Sequence, residues 1–238
     1  MTLTNKVPEQ EVHDIFDRIA NHYDQMNDIV SLGTQRLWRK KFYKEFEINS
    51  GDFILDLCTG TGDMAIADAK AAGPSGNVKG LDFNKKMMAL AEKKIRANDV
   101  EKEIQLHQGD AMELPFPDNS FDQVTIGFGL RNVPDAGKVI KEAYRVLKPG
   151  GKFGSVDMSQ PTNPIVKVGW ETYFKIFPQF ARIFYATSKE YNYLATSSKK
   201  FVSAQKLKVM FEEAGFKNVQ VTKLNLGAGA IHIGTKLE

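Results

Sequence analysis

The sequence has 238 residues, 42% of them hydrophobic and 26% charged, which is the profile of a globular chain with one substantial core. Lysine and arginine outnumber aspartate and glutamate by 32 to 29, and a net charge of +3 supplies no bulk attraction to nucleic acid. The single cysteine, Cys58, excludes an intrachain disulfide and a multi-cysteine zinc site, which suits a reducing, cytoplasmic compartment; the polar, acidic amino terminus and the lack of any run of about 18 apolar residues argue against a secretory signal or a membrane span.

Val12, Ile15, Phe16 and Ile19 share one face of an expected amino-terminal helix, which runs into Asn21-His-Tyr-Asp-Gln-Met-Asn-Asp28. Ile54-Leu-Asp-Leu-Cys-Thr-Gly-Thr-Gly62 is an apolar run containing a carboxylate and ending in a glycine-rich loop. The pattern then alternates: Met64 to Ala71 helical, Val78 to Leu81 extended, Lys85 to Ala97 helical and Ile104 to His107 extended. Phe121 to Ile126 is the next strand and Ala136 to Leu147 the next helix, with Lys148-Pro-Gly-Gly151 a turn into the strand Lys152 to Val156. These are the marks of five parallel strands with crossover helices on both faces. A stretch dense in aromatics follows between Ser159 and Lys200, from Trp170, Tyr173, Phe174, Phe177, Phe180, Phe184, Tyr185 and Tyr191 to Tyr193. A helix capped by Ser203 runs to Ala214, where Gly215 suits a left-handed stop. The link from Asn225 to Gly229 is too short for a crossover, so the strands Val219 to Leu224 and Ile231 to Lys236 should be antiparallel. The expected fold class is therefore α/β, a Rossmann-like seven-stranded sheet, mostly parallel with a terminal antiparallel hairpin. A single domain over 1–238 is expected: a helical cap at 1–50, a ligand-binding core at 51–158, an aromatic insert at 159–200, and a last helix with the hairpin at 201–238.

Ligands of such sheets collect beyond the carboxyl ends of the strands. Asp56, Gly60, Gly62, Asp82, Asp110 and Gly127 fall there, and Asp82 lies twenty residues beyond Gly62, the spacing at which a carboxylate holds a ribose diol. Gly60-Thr-Gly-Asp-Met-Ala65 also satisfies the dinucleotide fingerprint, so an NAD(P)-dependent oxidoreductase is a rival reading. A diphosphate, however, needs an electropositive helix start, whereas Asp56 and Asp63 flank this loop. That placement better matches S-adenosylmethionine, with a sulfonium, an ammonium and no phosphate.

Asp56 to Gly62, Gly80-Leu-Asp82, Gln108-Gly-Asp-Ala111, Leu114 to Asp122 and Leu147 to Gly151 resemble the successive motifs of class I S-adenosylmethionine-dependent methyltransferases, as does the terminal hairpin. Asn21 to Asp28, Ile126-Gly-Phe-Gly-Leu-Arg-Asn-Val133 and Tyr144 to Gly151 are more specific. They resemble the quinone-biosynthesis C-methyltransferases, closest to the demethylmenaquinone branch, with C-methylation of a ubiquinone-precursor benzoquinol as the alternative. The resemblance spans about Val12 to Lys236 and implies a polyprenyl naphthoquinol substrate. It places cofactor contacts on Thr61, Asp82, Asp110 and Ala111, beside Asp56, Gly60 and Gly62 of the loop. Two positions depart from the pattern: many members of the superfamily have glycine at Cys58, and some quinone enzymes have serine at Gly127.

Methylation of an aromatic carbon needs alignment, exclusion of water and help for a phenolate. Arg131 is expected to stabilise that oxyanion and Tyr23 to position or relay a proton, with a pairing of Arg131 to Asp135 or Asp24 as the structural alternative. No metal is required. Cys58 reads as a packed residue, the four histidines as structural or surface residues, and Lys93-Lys94 as a solvated helix face. The aromatic insert is expected to pack as a helix, to guide the isoprenoid tail and to touch the bilayer surface peripherally. The oligomeric state is left open.

Overall fold

The protein is described by a computed structural model, which covers residues 4–31, 33–184 and 188–238, with side chains omitted at 29, 30, 177–184, 188, 189 and 191. Seven strands form one sheet: β1 (Phe53–Leu57), β2 (Asn77–Asp82), β3 (Ile104–Gln108), β4 (Phe121–Gly127), β5 (Leu147–Met158), β6 (Lys217–Leu224) and β7 (Gly229–Thr235), in the order β3-β2-β1-β4-β5-β7-β6. The first five are parallel, and β7 runs antiparallel to both β5 and β6. The hairpin link turns tightly at Asn225–Gly227, with Leu226 at φ +58°.

The helices are α1 (Glu9–Ile19), α2 (Tyr23–Val30), α3 (Thr34–Glu45), α4 (Asp63–Ala72), α5 (Lys85–Ala97), α6 (Ala136–Val146), α7 (Pro164–Phe184), α8 (Ser188–Lys200) and α9 (Ala204–Glu213). Asn163 caps α7, accepting from Ile165 and Val166 N–H, and three more of the described helices start the same way. Asn84, Asp135 and Ser203 accept from the backbone N–H of Met87, Lys138 and Lys206, each satisfying a donor that a helix start otherwise leaves open.

Period-two alternation in β1 sends Leu55 and Leu57 to one face, where they meet Val139, Ile140 and Ala143 of α6 and Phe211 of α9. Ile54 and Asp56 point to the other. Ile54 packs on Ala65 and Ala69 of α4 and Ala91 and Ile95 of α5. Central strands buried on both faces explain the near-continuous apolar run. On the same side as α4, Trp38 and Phe42 of α3, with Phe46 just past its end, lie over Val156 and Ile231. A Cβ on Gly229 would come within 2.4 Å of the Trp38 ring, so the start of β7 is a seat that only glycine leaves open for α3.

The expected turn Lys148-Pro-Gly-Gly151 lies inside β5. Phe121 pairs with Leu147 but Gln123 with Lys152, so the four residues loop out of the ladder, with Gly150 at φ +83°. Gly150 N–H donates to Lys236, and Lys236 N–H to Gly151.

The amino-terminal segment crosses the carboxyl ends of the strands. The expected face Val12, Ile15, Phe16 and Ile19 of α1 is buried against Met26, Met87, Tyr193 and Leu194. Ahead of it, Thr4 and Asn5 donate to the carbonyls of Pro134 and Asn132, and the Thr4 hydroxyl accepts from Ala136 N–H at the start of α6. Asn5 Nδ2 also reaches the Tyr193 hydroxyl at 3.1 Å. In the insert, Trp170, Tyr173 and Phe174 form a cluster of edge-to-face rings; the side chains of Phe177, Phe180, Phe184 and Tyr191, and the residue Tyr185, lie outside what is described. Among those described, no helix is long and apolar enough to cross a membrane.

Candidate active site

A cavity opens above the carboxyl ends of β1, β2, β3 and β4, under α1, with about 750 Å³ of atom-free space including its mouth. Its walls include Gly60, Asp82, Phe83, Asp110, Ala111 and Met112 on one side and Gly127, Phe128, Gly129 and Val133 on the other, with Val12, Phe16 and Tyr23 above. A second, smaller hollow adjoins it beyond the loop, lined by Thr61, Asp63, Arg39 and Asn27. Tyr23, Cys58, Gly60, Gly127 and Phe128 border both.

The loop is shaped by backbone angles. Cys58, Gly60 and Gly62 have φ of +53°, +56° and +85°, a region that costs a residue with a Cβ about 1 kcal/mol or more. The position of Cys58 is thus one where glycine would be at ease. Burial and the acids Asp82, Asp56, Asp110 and Asp157 push the Cys58 thiol well above its ordinary pKa, so it is a poor nucleophile.

Asp82, at the end of β2, is buried and lines the cavity. Its Oδ2 accepts from Gly60 N–H at 2.8 Å and its Oδ1 from Asn84 N–H at 2.9 Å. Burial raises its pKa, and these backbone donors work against that rise. Each carboxylate oxygen keeps a second lone pair for a ligand hydroxyl. Asp110 accepts from Met112 N–H and stands beside buried Ala111 on the same wall. A floor of backbone, a fixed carboxylate and an apolar slot at Ala111 fit the adenosine end of S-adenosylmethionine.

Asp56 is corrected by the structure. It does not line the cavity: alternation in β1 turns it beneath the loop toward α4, where Thr59 Oγ1 donates to it at 2.5 Å and Thr125 Oγ1 stands 3.4 Å away. Thr125 donates to Asp68 at 2.7 Å, as does the Tyr43 hydroxyl. Burial first, and then the neighbouring Asp68, push Asp56 well above the carboxylate range. Its place is to brace the loop from below.

Three further expectations meet unexpected partners. The Thr61 hydroxyl borders the smaller hollow, donating to Asp24 at 2.7 Å and accepting from Lys94 at 3.2 Å. Lys94 is not a solvated lysine, because it also holds Asp24 at 2.9 Å and Asp63. Asp63 is thereby paired, with Arg39 at 2.8 Å on its other oxygen, so the acids flanking the loop do not present bare charge. Arg131 pairs neither with Asp135, which caps α6, nor with Asp24. Its Nη1 donates to Asp157 at the end of β5 at 2.6 Å, with both side chains almost closed to solvent. The Arg131 Nε is buried without a hydrogen-bond partner, and the guanidinium stands 5.5 Å from the Phe128 ring centroid. Burial raises the pKa of Tyr23, and the charge of Arg131 lowers it, which puts the two groups within electrostatic reach. Both glycines beside Phe128 are crowded: a Cβ would lie 2.8 Å from Met64 at Gly127 and 2.7 Å from Cys58 at Gly129.

A seven-stranded sheet with its last strand reversed differs from the six parallel strands of a dinucleotide fold. Together with the Asp82 and Ala111 wall, it defines a class I S-adenosylmethionine-dependent methyltransferase. Solved structures agree on the fold: a SAM-dependent methyltransferase from Aquifex aeolicus matches with TM-score 0.64 at 19% identity over 89% of this chain and 98% of that one. The methyltransferase in complex with the Trm112 activator from Haloferax volcanii matches with TM-score 0.69 at 19% identity over 95% and 98%. The chain belongs to the ubiE/COQ5 methyltransferase family, whose model matches residues 4–236. It is 66% identical to the demethylmenaquinone methyltransferase of Lactobacillus johnsonii over 99% of this chain and 97% of that protein. Identity to the enzyme of the same name from Lactiplantibacillus plantarum is 48% over 94% and 95%.

Proposed function

We propose that the protein methylates a ring carbon of demethylmenaquinol with S-adenosylmethionine as donor, as a step of menaquinone biosynthesis. The acceptor rests on one observation, the full-length 66% identity to a demethylmenaquinone methyltransferase. When bound, S-adenosylmethionine supplies an electrophilic methyl group on a sulfonium. Asp82 holds its ribose and Ala111 its adenine edge, and Gly60 with Gly62 keeps the loop close enough for backbone contact.

The acceptor enters beside Phe128, Val133 and Tyr23. Arg131 supplies the cation that stabilises the phenolate, which pushes electron density onto the ring carbon. Arg131 lines neither hollow itself; the support for this reading is its buried Nε without a partner, which costs about 1–3 kcal/mol unless a ligand meets it. Tyr23, at the seam of the two hollows, orients the phenolic oxygen and carries its proton outward. Val12 and Phe16 exclude water. The isoprenoid tail leaves along α7, whose exposed Ile165 and Val168 rest on the membrane surface.

A labelled-methyl assay with demethylmenaquinol and a demethylated benzoquinol side by side tests the proposal. Label is expected in the naphthoquinol product; label confined to the benzoquinol, or in neither, refutes it.

A further inference from the structure

The smaller hollow has a charge arrangement that the adenosine contacts do not use. A ligand with its ribose on Asp82, laid across Gly60, carries its other end into this space, since both hollows border Gly60 and Tyr23. For S-adenosylmethionine that end is an amino acid with a free carboxylate, which demands a cation.

Three cations stand near. Arg36 is engaged on both oxygens of Asp28, which Gln35 also contacts. Lys94 is committed to Asp24, Asp63 and Thr61. Arg39 faces the hollow, gives one edge to Asp63 at 2.8 Å, and among the described residues has no partner for the rest of its fork. Its backbone is fixed, because Trp38 and Phe42 on the same helix are buried against β5 and β7. Lys94 also touches Asp63, so Asp63 keeps a cationic neighbour when Arg39 turns the rest of its fork to a ligand, and a partly exposed ion pair contributes little to stability.

We propose that Arg39 receives the α-carboxylate of S-adenosylmethionine, making it the cofactor-binding residue that recognises the amino-acid end. A planar guanidinium matches a carboxylate with two parallel hydrogen bonds, which the compact ammonium of Lys94 does not offer. This assignment is independent of which quinol accepts the methyl group.

The test is calorimetric binding of S-adenosylhomocysteine and of its decarboxylated analogue to the wild-type protein, Arg39→Gln and Arg39→Lys, with no quinol present. Arg39→Gln is expected to weaken S-adenosylhomocysteine roughly tenfold to a hundredfold and the decarboxylated analogue by less than about fivefold. Arg39→Lys should fall between wild type and Arg39→Gln for S-adenosylhomocysteine alone. Equal weakening of both ligands would reduce Arg39 to a structural ion pair, and unchanged affinity for S-adenosylhomocysteine would remove it from the site; either overturns the assignment.

Discussion

The Thr61 hydroxyl donates to Asp24 Oδ1 at 2.7 Å, joining the glycine loop to the first turn of α2. The residue read from sequence as a cofactor contact is therefore also the clasp that holds the cap down. Lys94 closes the same clasp from α5.

Thr61→Val should loosen the cap without unfolding the sheet. The lost hydrogen bond is worth about 1 kcal/mol, so global stability changes little, while limited proteolysis within α2 should speed up several-fold. Unchanged cleavage there would mean that the apolar face of α1 holds the cap unaided.

Removing one partner of the Arg131–Asp157 pair leaves a buried charge alone. Asp157→Ala is expected to cost about 3–5 kcal/mol in urea unfolding. Arg131→Lys keeps a cation near Asp157 but loses the planar fork, so kcat should fall roughly a hundredfold with a smaller loss of stability. Tyr23→Phe should lower kcat by about tenfold or more with little change in cofactor affinity. Near-normal turnover of both variants at saturating quinol would dismiss the proposed roles.

The Asp56–Asp68 pair sets a slope of stability with pH. Burial lifts Asp68 to about 7, and burial with Asp68 lifts Asp56, so the folded protein holds protons that the unfolded chain releases near pH 4. The part carried by Asp68 is complete below about pH 4 and is lost as pH rises through about 7. His232, depressed to about 4 by burial, acts in the opposite sense between about pH 4 and 6.5. Asp68→Asn keeps His232 and removes both the titration of Asp68 and its charge beside Asp56, so its stability relative to wild type should improve from pH 5 to pH 8. A constant difference in urea midpoints across that range would count against the pair.

Cys58 should resist iodoacetamide at pH 8 in the native protein and react once the chain is unfolded, as read by mass spectrometry. Rapid native labelling would contradict the raised thiol pKa.

The apolar residues at the start of α7 offer a separate check. Ile165 is 84% and Val168 64% exposed. Replacing both with aspartate should reduce cosedimentation with lipid vesicles while leaving binding of S-adenosylhomocysteine intact. Equal cosedimentation would rule out this face as the membrane contact.

The sheet was legible because strand periodicity and glycine punctuation are local signals. Lys85–Ala97 was bounded correctly by its apolar spacing, and the five-residue link after Leu224 dictated the reversed last strand. The outlooped residues 148–151 were not visible as part of β5, since the ladder resumes only through Lys236 at the far end of the chain. At the site, the carboxylate Asp82 could be located by its spacing from Gly62. The orientation of Asp56 could not, because which face of β1 meets α4 is settled by packing. Arg131 was singled out by its motif, but Asp157 shares no local pattern with it, and a buried ion pair depends on two strand ends meeting in space. Arg39 was not singled out and Lys94 was read as solvated for a simpler reason: in a helix, a lysine or arginine is ordinarily solvated, and only the neighbours reveal otherwise.

Thr4 and Asn5 are stitched to the carbonyls of Asn132 and Pro134 and to the first amide of α6, and those same residues wall the cavity. During synthesis this arm must wait for more than a hundred later residues to leave the ribosome before it can settle. A bulky group attached just ahead of this arm would therefore press on the same wall.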